Sequence, residues 1–162
     1  MSKDDNPQIR YQPAESNPTL KKLDALVGEW KMELHVPTDP PTVISDLWTT
    51  FEWMEGGRFL VWQWGPARPD FPGGLFPAAH SLIGHEESVE KYLMHYFDSR
   101  GVARLLEMSL EGEAWKIWRS SPGFSQRFKG TVRDNVMTGF WEKSSDGTSW
   151  ELDFEMVFTK ET

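Results

Sequence analysis

The sequence predicts an all-β protein: a closed, antiparallel, up-and-down barrel of about ten strands, preceded by a short N-terminal helix. Three observations carry this. From Gly28 onward apolar residues recur with a period of two, the spacing of a strand with one buried face. Turn-forming residues interrupt the pattern at short, regular intervals with no helical crossover between them, as in a meander. Finally, nine tryptophans in 162 residues need a large sheltered interior or a binding surface, and they are scattered among the alternating runs. Together these features describe a container with an aromatic lining. Closure is preferred to a sandwich because it alone leaves no strand edge exposed.

The elements follow in order. Residues 1–18 are polar and carry Pro7, Pro13 and Pro18; such a stretch buries too little to fold alone and is expected to form an arm. Thr19 reads as a helix N-cap, and Leu20, Leu23, Leu26 and Val27 recur at helical spacing until Gly28 ends the turn. The domain proper is therefore residues 19–162, with the helix against one barrel end. Trp30, Met32, Leu34 and Val36 then alternate with Lys31, Glu33 and His35. Residues 43–54 keep Leu47, Phe51 and Trp53 on one parity, and Glu55-Gly56-Gly57 makes a hairpin turn into a strand over 58–64 that is apolar on both faces.

Six prolines and glycines between 65 and 78 exclude a central strand and mark the longest loop, of the kind that borders a cavity mouth. Further strands are expected near 79–85, 90–97, 102–110, 113–119, 124–130, 136–143 and 149–158. Turns such as Asp98-Ser99-Arg100-Gly101 and Ser144-Ser145-Asp146-Gly147 separate them. In the last strand Trp150, Leu152, Phe154, Met156 and Phe158 share a parity.

Composition narrows the function classes. The chain suits one domain that buries roughly two thirds of its unfolded surface. No apolar run approaches the roughly 20 residues of a membrane-spanning helix, and the polar, acidic start is unlike a secretory signal. Without cysteine, disulfides, thiolate nucleophiles and Cys-ligated metals are excluded, and a cytoplasmic setting is expected. A net charge of −8 disfavours nucleic acid and anionic membranes as partners. A homodimer through an exposed aromatic strand remains open.

Gly28-Glu29-Trp30 opening the first strand after a short helix, followed by the meander, resembles the lipocalin-like or calycin group. Gly57-Arg58-Phe59-Leu60, Met94-His95-Tyr96-Phe97-Asp98 and Gly139-Phe140-Trp141-Glu142 look most like an uncharacterised bacterial family within it, distantly similar to nitrobindin and the fatty-acid-binding proteins. The resemblance covers roughly residues 19–159 and implies an interior ligand site. Two departures matter. Lipocalins stack an arginine from the end of the barrel over the tryptophan of the Gly-x-Trp motif, and residues 136–159 contain no arginine. Nitrobindin-like barrels hold haem through a C-terminal histidine, whereas here the last histidine is His95. No cofactor is expected, with haem as the alternative.

Polar residues on apolar strand faces are the candidate site, because a barrel interior offers few reasons to bury a charge. Arg104 shares a parity with Leu106, Met108 and Leu110; Arg119 follows Trp115 and Ile117; Gln126 sits between Phe124 and Phe128. Facing inward, two guanidinium groups and an amide would seat a small apolar or amphipathic ligand with an acidic group, between walls of Trp53, Trp62, Trp115 and Phe128. The plainer alternative puts Arg104 and Arg119 at strand ends, reaching solvent or pairing with Glu52 or Glu107. A cofactorless enzyme would use His95 as acid or base, although His95 and Tyr96 must face opposite sides of their strand. A structural or interaction module would fill its barrel with its own aromatics. His80 and His85 have the odd spacing that separates two strand ligands, so no metal site is expected.

Overall fold

A computed structural model of the chain describes residues 17–66 and 77–162. Helix α1 spans Pro18–Lys21 and continues as a 3-10 turn, Lys22–Ala25. Its N-cap is Asn17, not Thr19. Asn17 Oδ1 accepts the amides of Thr19 (3.0 Å) and Leu20 (3.4 Å), and Pro18 takes the first helical position, where its missing N–H costs nothing. Asn17 and Pro18 thus belong to the helix; the remainder of the expected arm, residues 1–16, lies outside the described residues.

Ten strands follow: β1 Gly28–Val36, β2 Thr42–Trp53, β3 Leu60–Pro66, β4 Ala79–Glu86, β5 Lys91–Asp98, β6 Ala103–Glu111, β7 Ala114–Arg119, β8 Ser125–Arg133, β9 Val136–Ser144 and β10 Glu151–Lys160. Each pairs antiparallel with the next, and β1 pairs with β10, from Trp30 opposite Lys160 to His35 opposite Glu155, so the sheet closes as an up-and-down barrel. No helix among the described residues is long and apolar enough to cross a membrane.

One barrel end is plugged. Leu20, Leu23 and Leu26 are buried under α1 and its turn. Trp30 Nε1 donates to Leu26 O (2.9 Å), Trp53 Nε1 to Asp24 (2.8 Å) and Tyr92 Oη to Thr19 O. Each indole or phenol N–H or O–H finds its acceptor on the plug while its ring fills the barrel. Lys160 Nζ lies 5.2 Å from the centre of the Trp30 ring. No arginine among the described residues covers this tryptophan; the cation beside its ring is Lys160, one residue beyond the segment that lacks arginine.

The middle of the barrel is solid. Phe51 stacks on Trp62 (4.9 Å between ring centroids), Trp62 meets Trp115 (5.4 Å), and Trp115 meets Phe128 edge-on (4.9 Å). Trp62 is fixed by Thr49, whose buried hydroxyl accepts Trp62 Nε1 and donates to Gln63 O, both at 2.7 Å. The roomy interior expected from the tryptophan count is thus largely filled, with a cavity at the end opposite the plug.

Candidate functional site

The strands that run away from the plug, β1, β3, β5, β7 and β9, end at the opposite rim. There Pro66 and Pro77 also lie, the described flanks of the loop expected over 65–78; residues 67–76 fall outside the described residues. At this rim a cavity of about 290 Å³ enters the barrel, near the lower limit for small-molecule pockets. Its floor is the top of the aromatic core: Trp62, then Trp64 (4.7 Å from Trp62), with Trp141 and Phe154 on the far wall. Tyr96, Arg100, Arg104, Gln126 and Asp153 bring polar groups to its mouth.

Of the expected site residues, Arg104, Gln126 and Arg119 lie close together. Arg104 Nη1 donates to Gln126 Oε1 (2.7 Å), its guanidinium sits 4.9 Å from the Phe124 ring centre, and Arg119 Nη1 donates to Phe124 O (3.1 Å). Both arginines stand at strand ends, as the plainer alternative held, but those ends form the cavity rim. Neither makes an ion pair with Glu52 or Glu107; Glu107 pairs with Lys91 (2.7 Å). Arg104 lines the cavity and Arg119 stands behind it. Burial, and then the positive charge of Arg119, push Arg104 below its ordinary pKa. Among the described residues no carboxylate is bonded to either guanidinium, and such a pair of cations is a local excess of positive charge that an anion would relieve.

The expected aromatic walls need correction. Trp62 does line the cavity, but Trp115 and Phe128 lie beneath it in the solid layer, and Trp53 is at the plugged end, half-buried and tied to Asp24. Each has the inward parity, and parity alone does not say how deep along the barrel a residue sits. His95 is exposed on the outer wall and Tyr96 faces inward, so His95 has no access to the cavity. None of the four histidines lines the cavity. The imidazole ligation that similarity to nitrobindin would imply has no donor here, and haem in that form does not fit. No group of three or more metal-ligating side chains occurs among the described residues.

Tyr96, Arg100 and Asp153 were not expected at the site. Asp98, its side chain fully buried, accepts Tyr96 Oη (2.7 Å), Arg100 Nη2 (2.7 Å) and Nε (3.3 Å), and the Arg100 amide (2.9 Å). The tight turn after β5 aims these amides back at the carboxylate. Burial alone would raise the Asp98 pKa; the bonds from Arg100, Tyr96 and the backbone outweigh it and hold the carboxyl at about 2. Burial, then the bond to Asp98, push the Tyr96 phenol well above its usual range.

The Asp98 shift fixes a pH dependence. Because the folded-state pKa is depressed, the stabilisation is complete above the unfolded value near 4 and is lost as pH falls through about 2. We expect Asp98→Asn to lower unfolding free energy at pH 7 by roughly 1–2 kcal/mol, allowing for screening at the rim. That deficit should shrink steadily between pH 5 and pH 2 in urea titrations. A deficit independent of pH would mean that the carboxylate is not held ionised by the fold.

Asp153 reaches the site through an irregularity. β9 and β10 shift register between Leu152 and Phe154, so Leu152 is exposed and Asp153 faces the cavity, held by Lys143 at 3.4 Å. A bulge of this kind re-aims one side chain at a rim.

No family model matches the chain, and no curated protein matches it. Among solved structures the chain is similar to the crystal structure of Rv2717c from M. tuberculosis, with a TM-score of 0.62 and 11% identity, covering 90% of this chain and 99% of that one. At that identity the likeness concerns the fold alone.

Proposed function

We propose that this barrel is a small-molecule-binding protein that holds one amphipathic ligand in the rim cavity, its apolar part against Trp62, Trp64, Trp141 and Phe154 and its acidic group at Arg104. The observation that supports this most directly is Arg104 itself. A half-buried guanidinium at the mouth of an aromatic cavity, bonded to a neutral amide and crowded by a second guanidinium, is set up to receive a carboxylate. With Gln126 Oε1 accepting from Arg104, the Gln126 amide nitrogen is left to donate to the same group. A cytoplasmic setting, suggested by the absence of cysteine, belongs to this reading.

The exposed position of His95 counts against an enzyme built on that residue. The open cavity counts against a barrel filled wholly by its own side chains. Native mass spectrometry of the freshly purified protein is expected to show a bound species of a few hundred daltons. Calorimetry with 3-phenylpropanoate, a minimal aromatic acid, should give saturable binding that Arg104→Met weakens about tenfold or more, the worth of one charge-assisted hydrogen bond. Failure of the acid to bind at about 1 mM, together with an unliganded native mass, would overturn the reading.

A further inference from the structure

The cavity is two inward residues deep. On β6, Arg104 and Leu106 line it, whereas Met108, the next inward residue, is wholly buried beneath. On β1, at the opposite side of the barrel, Val36 and Leu34 line it and Met32 is again beneath. Successive inward residues on a strand are about 7 Å apart, so the space ends abruptly at the ring layer. The member of that layer facing the cavity is Trp62. Its ring is backed by Phe51 (4.9 Å) and Trp115 (5.4 Å), and its Nε1 is held by the Thr49 hydroxyl at 2.7 Å. A ligand tail that displaced Trp62 would break this buried hydrogen bond. It would also meet Trp115 and Phe128, which fill the section behind.

Resting on the reading of Arg104 as the acid anchor, we propose that the site is a length gauge for small acids. It takes an acid with a single ring or a chain of up to about eight carbons, Trp62 sets the limit, and long-chain fatty acids are refused. Arg104 stands at the mouth, one inward step above Leu106, so an acid held there sends its tail inward toward Trp62. At roughly 30 Å³ for each water-sized group, a cavity of about 290 Å³ holds roughly ten non-hydrogen atoms, about the size of octanoate. A ten-strand barrel has the girth for a larger ligand. Here the plug closes one end and the ring layer fills the middle, so a longer tail anchored at the mouth has nowhere to go.

The test is a series of straight-chain acids, hexanoate, octanoate, decanoate and dodecanoate, titrated calorimetrically into the full chain beside 3-phenylpropanoate. Affinity should rise about fourfold per methylene as far as octanoate, the worth of burying one CH₂. Dodecanoate should then bind at least about tenfold more weakly than octanoate, because its tail overpacks the floor. Dodecanoate binding as tightly as octanoate, or more tightly, would overturn the length limit and leave the Arg104 anchor standing. In Trp62→Leu, whose folding a cooperative urea transition confirms, dodecanoate should come within about threefold of octanoate. Thr49→Val, which keeps the side-chain shape and removes the acceptor of the indole, is the milder second variant and should narrow the same gap. An unchanged gap in both variants would overturn the role of Trp62. Binding of 3-phenylpropanoate but of no straight-chain acid would overturn the gauge, and binding of neither would overturn the anchor itself.

Discussion

Trp115→Ala is expected to cost about 3–5 kcal/mol of unfolding free energy, a large share of the roughly 5–15 kcal/mol that a domain possesses. The side chain is wholly buried and touches rings from four other strands: Phe51 of β2 (6.1 Å), Trp62 of β3 (5.4 Å), Phe128 of β8 (4.9 Å) and Phe158 of β10 (6.1 Å). A closed barrel cannot move its walls inward to fill the hole, since every strand is hydrogen-bonded on both sides. The cost should therefore lie at the upper end of the range, lowering Tm by about 10–15 °C. Trp115→Phe offers an informative contrast. Trp115 Nε1 is buried with no hydrogen-bond partner among the described residues, so phenylalanine removes volume and an unsatisfied donor together, and its cost should be much smaller. Urea unfolding of both variants checks this. An alanine variant within about 1 kcal/mol of the parent would mean that the middle of the barrel is not solid.

The fold was legible because its signal is redundant. Ten strands with turn residues between them leave few topologies once right-handed crossovers are absent, and an error of a residue or two at a strand end changes nothing in the order. The helix was legible in its apolar spacing and misread only at its start, where Asn17 and Thr19 are both capping residues and Pro18 decides between them by fixing the first helical position. The arginine that the resemblance implies over Trp30 is absent, as the sequence shows. Strand β10 runs on to Lys160, and a lysine there approaches the ring.

The site was legible in part, for a physical reason. Parity assigns a face, and by parity Arg104, Gln126 and Trp62 share the face that borders the cavity. Depth along the barrel depends on strand tilt and stagger, which no local pattern encodes. Trp115 and Phe128 were therefore put in the cavity when they lie below it, and Trp53 when it lies at the other end. The tryptophan count misled similarly: Trp118 and Trp150 are on the outer wall, beside Lys91 and Arg127, where they cover charged side chains instead of lining a ligand site. Asp153 was hidden by alternation itself, because the shift after Leu152 exchanges faces at one step. Tyr96 was named, but only as the residue that could not share a face with His95; its opposite face proved to be the cavity.

Gly139→Val is expected to destabilise the barrel by about 3 kcal/mol, the upper part of the range for overpacking a filled interior. Gly130 and Gly139 stand directly opposite each other in the β8–β9 ladder, and the Phe128 ring lies over both. A Cβ on Gly130 would come within 2.7 Å of Phe128 Cζ; one on Gly139 would collide with the same ring and lie 2.8 Å from Lys129 O. The two glycines thus form the floor on which Phe128 lies flat, an aromatic covering a glycine pair as it does in other sheets. That posture puts Phe128 edge-on to Trp115 and 5.4 Å from Trp141, which lines the cavity. Packing at the glycine pair therefore bears on the cavity wall through two rings. The coupling can be measured directly. In a Phe128→Ala background the ring is gone while the contact with Lys129 O remains, so the added cost of Gly139→Val should fall by at least about 1 kcal/mol. Additive effects in that double-mutant cycle would show that the ring is not what excludes a side chain at Gly139. A full coupling, accompanied by weakened 3-phenylpropanoate binding in Gly139→Val alone, would tie the glycine pair to the shape of the site.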